Sequence, residues 1–123
     1  MATNFEEVAN QFVTFYYSQF DSDRKQLSAL YREQSMLTFE SSATQGAAAI
    51  VEKLAGLPFQ QVKHQVATID AQPGLNGGVF VLVTGQLLVD EEQRPMSYTQ
   101  AFQLLPEAGS FFVFNDVFKL VFA

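Results

Sequence analysis

Two tyrosine hydroxyls and one carboxylate in an apolar segment are the side chains of this sequence best suited to proton transfer. Tyr16 and Tyr17 lie in a helical segment, and Asp116 interrupts an apolar run between Phe114 and Phe118. An isomerase that moves a proton next to a carbonyl group needs such a carboxylate base opposite a hydroxyl donor in an apolar pocket. Alternatively, Asp116 is structural, at a strand end or dimer interface, and is satisfied by the backbone or an arginine. The spacing contains no convincing acid–base pair, so we favour the structural interpretation and expect no catalytic residue.

Metal and nucleophile chemistry have little support in the sequence. There is no Cys, and His64 is the only histidine. A lone histidine is more often structural, and its neighbours Lys63 and Gln65 indicate a strand of mixed exposure. The carboxylates do not show the clustered spacing of a metal site, and Asp21 and Asp23 are expected to cap helices and pair locally near Arg24. No phosphate-binding loop or dinucleotide fingerprint is present, so we expect no metal and no cofactor.

Composition limits the classes of partner. Seven basic and thirteen acidic residues give a net charge of −6, which disfavours nucleic acid and anionic membranes and allows a basic protein partner. The length fits a single domain over residues 1–123, and a hydrophobic content of 48% is enough for a packed core. The polar start of the chain is unlike a signal peptide, and no apolar run is long enough to span a bilayer.

The periodicity predicts helices first and strands afterwards. Asn4 and Glu7 fit a capping box, and apolar residues follow at helical spacing to Phe20. Asp21 or Ser22 is predicted to cap a short second helix through Tyr31. A short strand at 36–40 and a third helix at 46–55 follow, and the remaining strands are predicted at about 60–72, 78–89, 96–105 and 110–122. The fold class is therefore α+β, with three N-terminal helices and a strongly bent antiparallel sheet, in which Gly85 is a candidate bend or bulge.

The last strands are apolar on both faces, although a strand with one wet face alternates apolar and polar residues. In the strand at 78–89, Phe80, Leu82 and Leu88 face away from the valines at 79, 81 and 83. Strict alternation along the last strand puts Phe112, Phe114 and Phe118 on one face and Phe111, Val113 and Val117 on the other. This pattern therefore predicts that the second face of the sheet contacts another copy of the chain or a partner protein.

Several ordered segments resemble the nuclear transport factor 2 family, and its fungal members most. The resemblance spans essentially the whole chain and rests on order and spacing rather than on any one segment. The segments that carry it are Phe15-Tyr16-Tyr17, Phe20-Asp21-Ser22-Asp23-Arg24, 27–31, 35–40, Gln45-Gly46, 50–54, Leu57-Pro58-Phe59-Gln60, His64, 70–73, Gly85-Gln86-Leu87, Asp90-Glu91-Glu92 and Phe114-Asn115-Asp116.

This resemblance implies a cone-like fold, a homodimer packed through the sheets and a carrier rather than an enzyme. The implied cargo is the GDP-bound form of the small GTPase Ran, imported into the nucleus while the carrier binds Phe-x-Phe-Gly repeats of nuclear-pore proteins. The implied localisation is cytoplasm and nucleus, with enrichment at the nuclear pore. Two alternatives stay open: a cavity enzyme of the same fold, of isomerase or dehydratase type, and a repeat-binding scaffold dimer that does not bind Ran.

The resemblance also assigns site residues. Glu40, Asp90 and Glu92 match the acidic positions that contact Ran around an apolar pocket, where charge-assisted pairs set the register and an aromatic anchor supplies affinity. Without the resemblance, the residues at 90–92 are an ordinary solvated hairpin tip. The resemblance further implies an apolar pocket between helices and sheet, and the rings of Tyr16, Phe39 and Phe118 are expected to contribute to its lining. For each ring the alternative is plain packing in the core.

Phe5 matches an aromatic position that many animal relatives fill with Trp and that contacts the nucleoporin repeats. The alternative is that Phe5 packs onto its own domain near the start of the first helix. Since Phe offers less area than Trp, the resemblance implies weaker repeat binding, which suits a carrier that must leave the pore quickly.

Overall fold

The computed structural model describes residues 4–57, 61–91 and 94–121. Helix α1 spans Phe5–Ser22, a 3₁₀ helix spans Arg24–Leu30, and helix α2 spans Ala47–Ala55. The strands are β1 at Tyr31–Phe39, β2 at Ser42–Gln45, β3 at Val62–Pro73, β4 at Val79–Val89, β5 at Met96–Glu107 and β6 at Ser110–Leu120. The predicted α+β order with three N-terminal helices is confirmed, and the sheet is curled without closing into a barrel.

The helix ends follow from local hydrogen bonding. The side chain of Asn4 accepts a hydrogen bond from the backbone N–H of Glu7 at 3.1 Å, which confirms Asn4 as the N-cap of α1. The 3₁₀ helix is capped by Asp23, whose side chain bonds the N–H of Lys25, so the predicted cap at Asp21 or Ser22 is wrong. The predicted extent of this helix to Tyr31 is also wrong, because Tyr31 already begins β1.

The sheet has the strand order β2-β1-β6-β5-β4-β3. Strands β3 to β6 form the predicted antiparallel meander, and β1 pairs with β2 as a hairpin. The sheet is not antiparallel throughout, since β1 runs parallel to β6. The chain can make this parallel pair because α2 and the whole meander lie between the two strands in sequence. Strand β1 thereby brings its C-terminal end beside the C-terminal half of β6.

Bulges in β3 and β6 bend the sheet, and the pairing of β1 with β6 is also irregular between Tyr31 and Met36. In β3 the register shifts between Val66 and Thr68, so Ala67 is the extra residue, opposite the Gly85 region of β4. A Cβ atom on Gly85 would lie 2.4 Å from the carbonyl oxygen of Gln65, which explains why only glycine fits there. The predicted bend at Gly85 is thus found as a close backbone approach, with the bulge itself on the neighbouring strand.

The second bulge, in β6, corrects the predicted faces of the last strand. Gln103 pairs with Asn115 and Leu104 with Val113, so Phe114 is the extra residue. Val113 and Phe118 therefore both face the core, whereas strict alternation had put them on opposite faces. A bulge shifts the period by one residue, and the sequence carries no glycine there to announce it.

The core lies between the helices and the inner face of the sheet. Helix α1 packs mainly against β3 through a stripe of buried residues, namely Ala9, Phe12, Val13, Tyr16, Tyr17 and Phe20. Helix α2 contributes Ile50 and Leu54 and packs on the 3₁₀ helix and β1. On the outer face the predicted second apolar surface is present, because Phe80, Leu82 and Val117 are 40–47% exposed.

Candidate functional site

An apolar pocket lies where the C-terminal ends of α1 and α2 meet the inner face of the sheet. Its lining comes from both helices and from five strands and comprises Tyr16, Phe20, Leu37, Phe39, Leu54, Val62, His64, Leu87, Gln100 and Phe118. The three aromatic residues expected to line a pocket, Tyr16, Phe39 and Phe118, are all in this set. Its free volume is about 10 Å³, which is room for about one water molecule.

Stacked aromatic rings form one wall of the pocket. The rings of Phe39 and Phe118 are parallel with centroids 4.6 Å apart, and Tyr98 stacks on Phe118 at 5.5 Å. Phe118 is buried, whereas Phe39 is only half-buried and is the outermost ring of this wall. Because the pocket is nearly filled, an aromatic side chain from a partner would enter only if this wall moved outward.

A histidine–aspartate pair lies beside the pocket, and its histidine, His64, contributes to the lining. Nδ1 of His64 lies 2.6 Å from Oδ1 of Asp21, and the backbone N–H of His64 donates to Oδ2 of the same carboxylate at 3.0 Å. The His64 ring stacks on Tyr17 at 4.2 Å, and its side chain is only 3% exposed. His64 is therefore structural in its packing, as expected, although it is more buried than its neighbours indicated. The expected local role of Asp21 near Arg24 is wrong, because its carboxylate bonds a residue 43 positions away.

A fully buried carboxylate lies beneath the pocket. Oδ2 of Asp116 accepts hydrogen bonds from the Tyr31 hydroxyl at 2.7 Å and the Tyr16 hydroxyl at 3.2 Å. Oδ1 accepts from Nε2 of Gln100 at 2.7 Å, and Oε1 of Gln100 in turn accepts from the Tyr17 hydroxyl at 2.7 Å. Asp116 is structural, but the expectation that the backbone or an arginine satisfies it is wrong: phenols and an amide do.

Burial sets the protonation of this network. Desolvation raises the pKa of Asp116 to about 6, although the hydrogen bonds from Gln100, Tyr31 and Tyr16 each lower it. Burial and the neighbouring Asp116 charge raise the pKa of both Tyr16 and Tyr31 well above 10.0, so both stay protonated and act as donors. At neutral pH the network is therefore an ionised carboxylate held by neutral donors.

Two of the three predicted acidic site residues lie immediately after strands that line the pocket. Glu40 comes immediately after Phe39, has a φ of 50°, and its carboxylate accepts a hydrogen bond from the backbone N–H of Leu120. Asp90 directly follows β4 and is exposed. Its side chain accepts from the backbone N–H of Gln61 at 2.9 Å, and its own backbone N–H donates to the Gln61 carbonyl oxygen at 2.8 Å. Both carboxylates are thus anchored near the strand ends that carry the pocket. The third residue, Glu92, lies outside the described residues.

The predicted repeat-binding residue, Phe5, begins α1. Its side chain is partly buried and packs against the hydrophobic core, so the contact with its own domain is present. Its contact with nucleoporin repeats stays a prediction.

Sequence reasoning did not select Tyr31 and Gln100, which complete the Asp116 network. Both have polar side chains in segments that read as ordinary strand or helix, so no local signal marks them. Across the described ranges 4–57, 61–91 and 94–121, no helix has the length and apolarity to cross a membrane. In the same ranges no three His, Asp or Glu side chains are grouped in a way that would hold a metal ion.

Comparison with known proteins is consistent across the whole chain. The nuclear transport factor 2 (NTF2) domain model matches residues 8–120. The nuclear transport factor 2 of Emericella nidulans is 64% identical over 97% of both chains, and that of Candida albicans is 59% identical over 98% of both. Among solved structures, nuclear transport factor 2 from Cryptosporidium parvum superimposes with a TM-score of 0.93 at 40% identity and covers 98% of both chains.

Proposed function

The chain belongs to the nuclear transport factor 2 family, and from that premise we propose that it carries the GDP-bound form of Ran into the nucleus. Its relatives are named as transport factors, so the chain is a nuclear transport carrier and not an enzyme. The geometry agrees with this, because Asp116 is fully buried and is not among the residues that line the pocket, so a molecule held there would not contact its carboxylate.

One observation carries the Ran proposal: an aromatic pocket whose wall strands end in two anchored carboxylates, Glu40 and Asp90. An aromatic side chain of the partner would enter the pocket by displacing the outer ring, Phe39. Basic side chains beside that aromatic residue would pair with the two carboxylates and set its register. The net charge of −6 favours the approach of a basic surface from a distance. Glu92 is proposed as a third carboxylate of the same set.

We also propose that the carrier works as a homodimer through the outer face of the sheet. Ala101 on β5 pairs with Leu82 on β4 and with Val117 on β6, which makes an apolar row across three strands. Phe80 and Leu88 extend this row along β4 and are 44% and 36% exposed. An apolar sheet face of this kind is unusual for a monomer and is what a second copy of the same face would cover.

Passage through the pore is proposed to depend on Phe5, which would contact Phe-x-Phe-Gly repeats with the part of its ring that the core leaves uncovered. Phe is smaller than Trp, so each contact is weak and dissociation is fast, as transit requires. Shuttling between cytoplasm and nucleus, with enrichment at the pore, follows from this proposal.

The Ran proposal is tested by changing Glu40. Glu40→Lys reverses the charge, and Glu40→Gln removes the charge while keeping an oxygen that accepts from the N–H of Leu120. We expect Glu40→Lys to weaken binding of Ran-GDP by about 2 kcal/mol or more, which is roughly 30-fold in Kd, and Glu40→Gln to lie in between.

The matched control is Glu33→Lys, the same charge change at an exposed residue of β1, seven positions earlier in the chain. It should leave the titration unchanged, because at about 3.3 Å per residue it lies on the order of 20 Å from Glu40. Equal affinity of Glu40→Lys and wild type for Ran-GDP would contradict the proposed site, and equal loss in the control would indicate a general charge effect.

A further inference from the structure

The Asp116 network connects the floor of the pocket to the centre of the sheet, and the proposed carrier function does not by itself account for it. Asp116 is 0% exposed, and its three hydrogen-bond donors come from α1, β1 and β5. Two of these donors, Tyr16 and Gln100, also line the pocket, whereas Tyr31 does not. The carboxylate therefore holds two pocket walls at once.

The direction of these hydrogen bonds depends on the charge of Asp116. An ionised carboxylate only accepts, and Tyr16, Tyr31 and Gln100 are all within donating distance of it. The hydroxyls of Tyr16 and Tyr31 also lie 2.7 Å apart, so the two phenols are coupled to each other as well as to the carboxylate. A protonated carboxyl must place its own O–H on an acceptor, and the nearest one to Oδ2 is the Tyr31 oxygen at 2.7 Å. The Tyr31 hydroxyl then donates to the Tyr16 oxygen, 2.7 Å away, and the Tyr16 hydroxyl loses Oδ2 as its acceptor. Gln100 also accepts from Tyr17 through its Oε1, so a rotation of its amide would break that second bond as well. Protonation of Asp116 thus changes the hydrogen bonding of Tyr16, a residue that lines the pocket.

We propose that Asp116 is a positioning residue for partner binding: its ionised carboxylate holds Tyr16 and Gln100 in the arrangement that accepts the partner's aromatic side chain. This inference rests on the proposed binding of Ran-GDP in the pocket. It assigns a task to a residue that does not touch the partner and is not one of the acidic residues at the pocket's edge. It also makes binding sensitive to pH through a group buried inside the protein.

The titration of Asp116 falls in an accessible range. With a pKa of about 6, the carboxyl is mostly ionised at neutral pH and mostly protonated one pH unit below that value. If the complex selects the ionised arrangement, the apparent affinity falls roughly tenfold between about pH 7 and about pH 5. The titratable groups facing Asp116 are Tyr16 and Tyr17 from α1 and Tyr31 from β1, which stay neutral in this range, while β5 presents the uncharged Gln100. Across the pocket, β3 presents His64, which is paired with Asp21.

The experiment uses Tyr31→Phe to shift this titration at a residue that does not itself line the pocket. The Tyr31 hydroxyl donates to Asp116 at 2.7 Å and lowers its pKa, so its removal raises the pKa. Ran-GDP affinity is measured from about pH 5 to about pH 7.5, and we expect the midpoint of the affinity loss to move to higher pH than in wild type. Thr99→Val is the control, because it removes a hydroxyl beside Gln100 on β5 that donates to the carbonyl oxygen of Val83 rather than to the Asp116 network, and its midpoint should match wild type.

Asp116→Asn provides the second variant, since it cannot titrate. It should bind Ran-GDP with an affinity that is flatter across the same pH range, and each variant's fold is checked by thermal unfolding. The same midpoint in Tyr31→Phe and wild type, or an undiminished pH dependence in Asp116→Asn, overturns the positioning role while the carrier function stands. If wild type fails to bind Ran-GDP at every pH, the proposed function itself is refuted and this inference with it.

Discussion

The stability of the folded protein should depend on pH through Asp116, with a sign opposite to that of most carboxylates. Burial raises its pKa from 3.8 to about 6, so the folded protein holds this proton up to a higher pH than the unfolded chain does. The contribution of Asp116 to stability is therefore largest below the unfolded pKa and is lost as the pH rises through the folded pKa. Above that point the protein bears the full cost of a buried charge, reduced by the three hydrogen bonds.

The size of this effect follows from the shift. One pKa unit corresponds to about 1.4 kcal/mol, so the rise from 3.8 to about 6 amounts to about 3 kcal/mol at neutral pH and about half of that at pH 5. Asp116→Asn has no titrating group at this position. The stability of Asp116→Asn relative to wild type should therefore increase between pH 4 and pH 7. Expressed as a difference in the free energy of unfolding, the increase is about 2 to 3 kcal/mol.

Urea unfolding of wild type and Asp116→Asn at a series of pH values measures this difference directly. Protein concentration must be the same throughout, because dimerisation would add its own contribution to the apparent stability. The other titrating groups are shared by both proteins and cancel in the difference. A difference that stays constant within about 0.5 kcal/mol over this pH range would refute the assignment of a raised pKa to Asp116.

Three further substitutions and one comparison variant test the sheet, the outer face and the repeat contact. Gly85→Ala should lower the free energy of unfolding by about 3 kcal/mol, because its Cβ would lie 2.4 Å from the Gln65 carbonyl oxygen. Gly109→Ala, at a φ of +82° but with open space around it, should lower the free energy of unfolding by only about 1 kcal/mol. Denaturant titration of both variants measures the difference. Leu82→Glu should give a folded monomer in light scattering, and a dimer at micromolar concentration would contradict the proposed outer-face interface. Phe5→Ala should weaken binding to a Phe-x-Phe-Gly peptide and leave Ran-GDP binding intact, whereas equal loss of both would point to a folding defect.

Most of the fold could be predicted because it is encoded locally. Periodicity located α1 and the antiparallel strands, and turn residues separated them. The parallel pairing of β1 with β6 could not be predicted, since it joins segments about 80 residues apart and no pattern within either strand states its partner. The bulge at Phe114 was missed for a related reason, because it depends on the register with β5. The bulge puts Phe112 and Phe118 on opposite faces of the sheet, whereas strict alternation had put them on the same face.

The candidate site divides in the same way. Tyr16, Phe39 and Phe118 were expected at the pocket from the family resemblance, since the residues alone also fit plain core packing, and all three line it. The partners of Asp116 could not be predicted, because Tyr31 and Gln100 contact its carboxylate only when the β1–β6 and β5–β6 registers are fixed. The same holds for the bond between Asp21 and His64, in which the acidic residue lies in a segment that reads as a helix cap.

The proposal that the protein carries Ran-GDP is tested most directly by the nucleotide state of Ran. Purified Ran is loaded separately with GDP and with a non-hydrolysable GTP analogue, and each form is titrated into the wild-type protein. The account predicts that the GDP form binds and that the GTP-analogue form does not. Equal binding of both forms, or binding of neither by the folded protein, would contradict it.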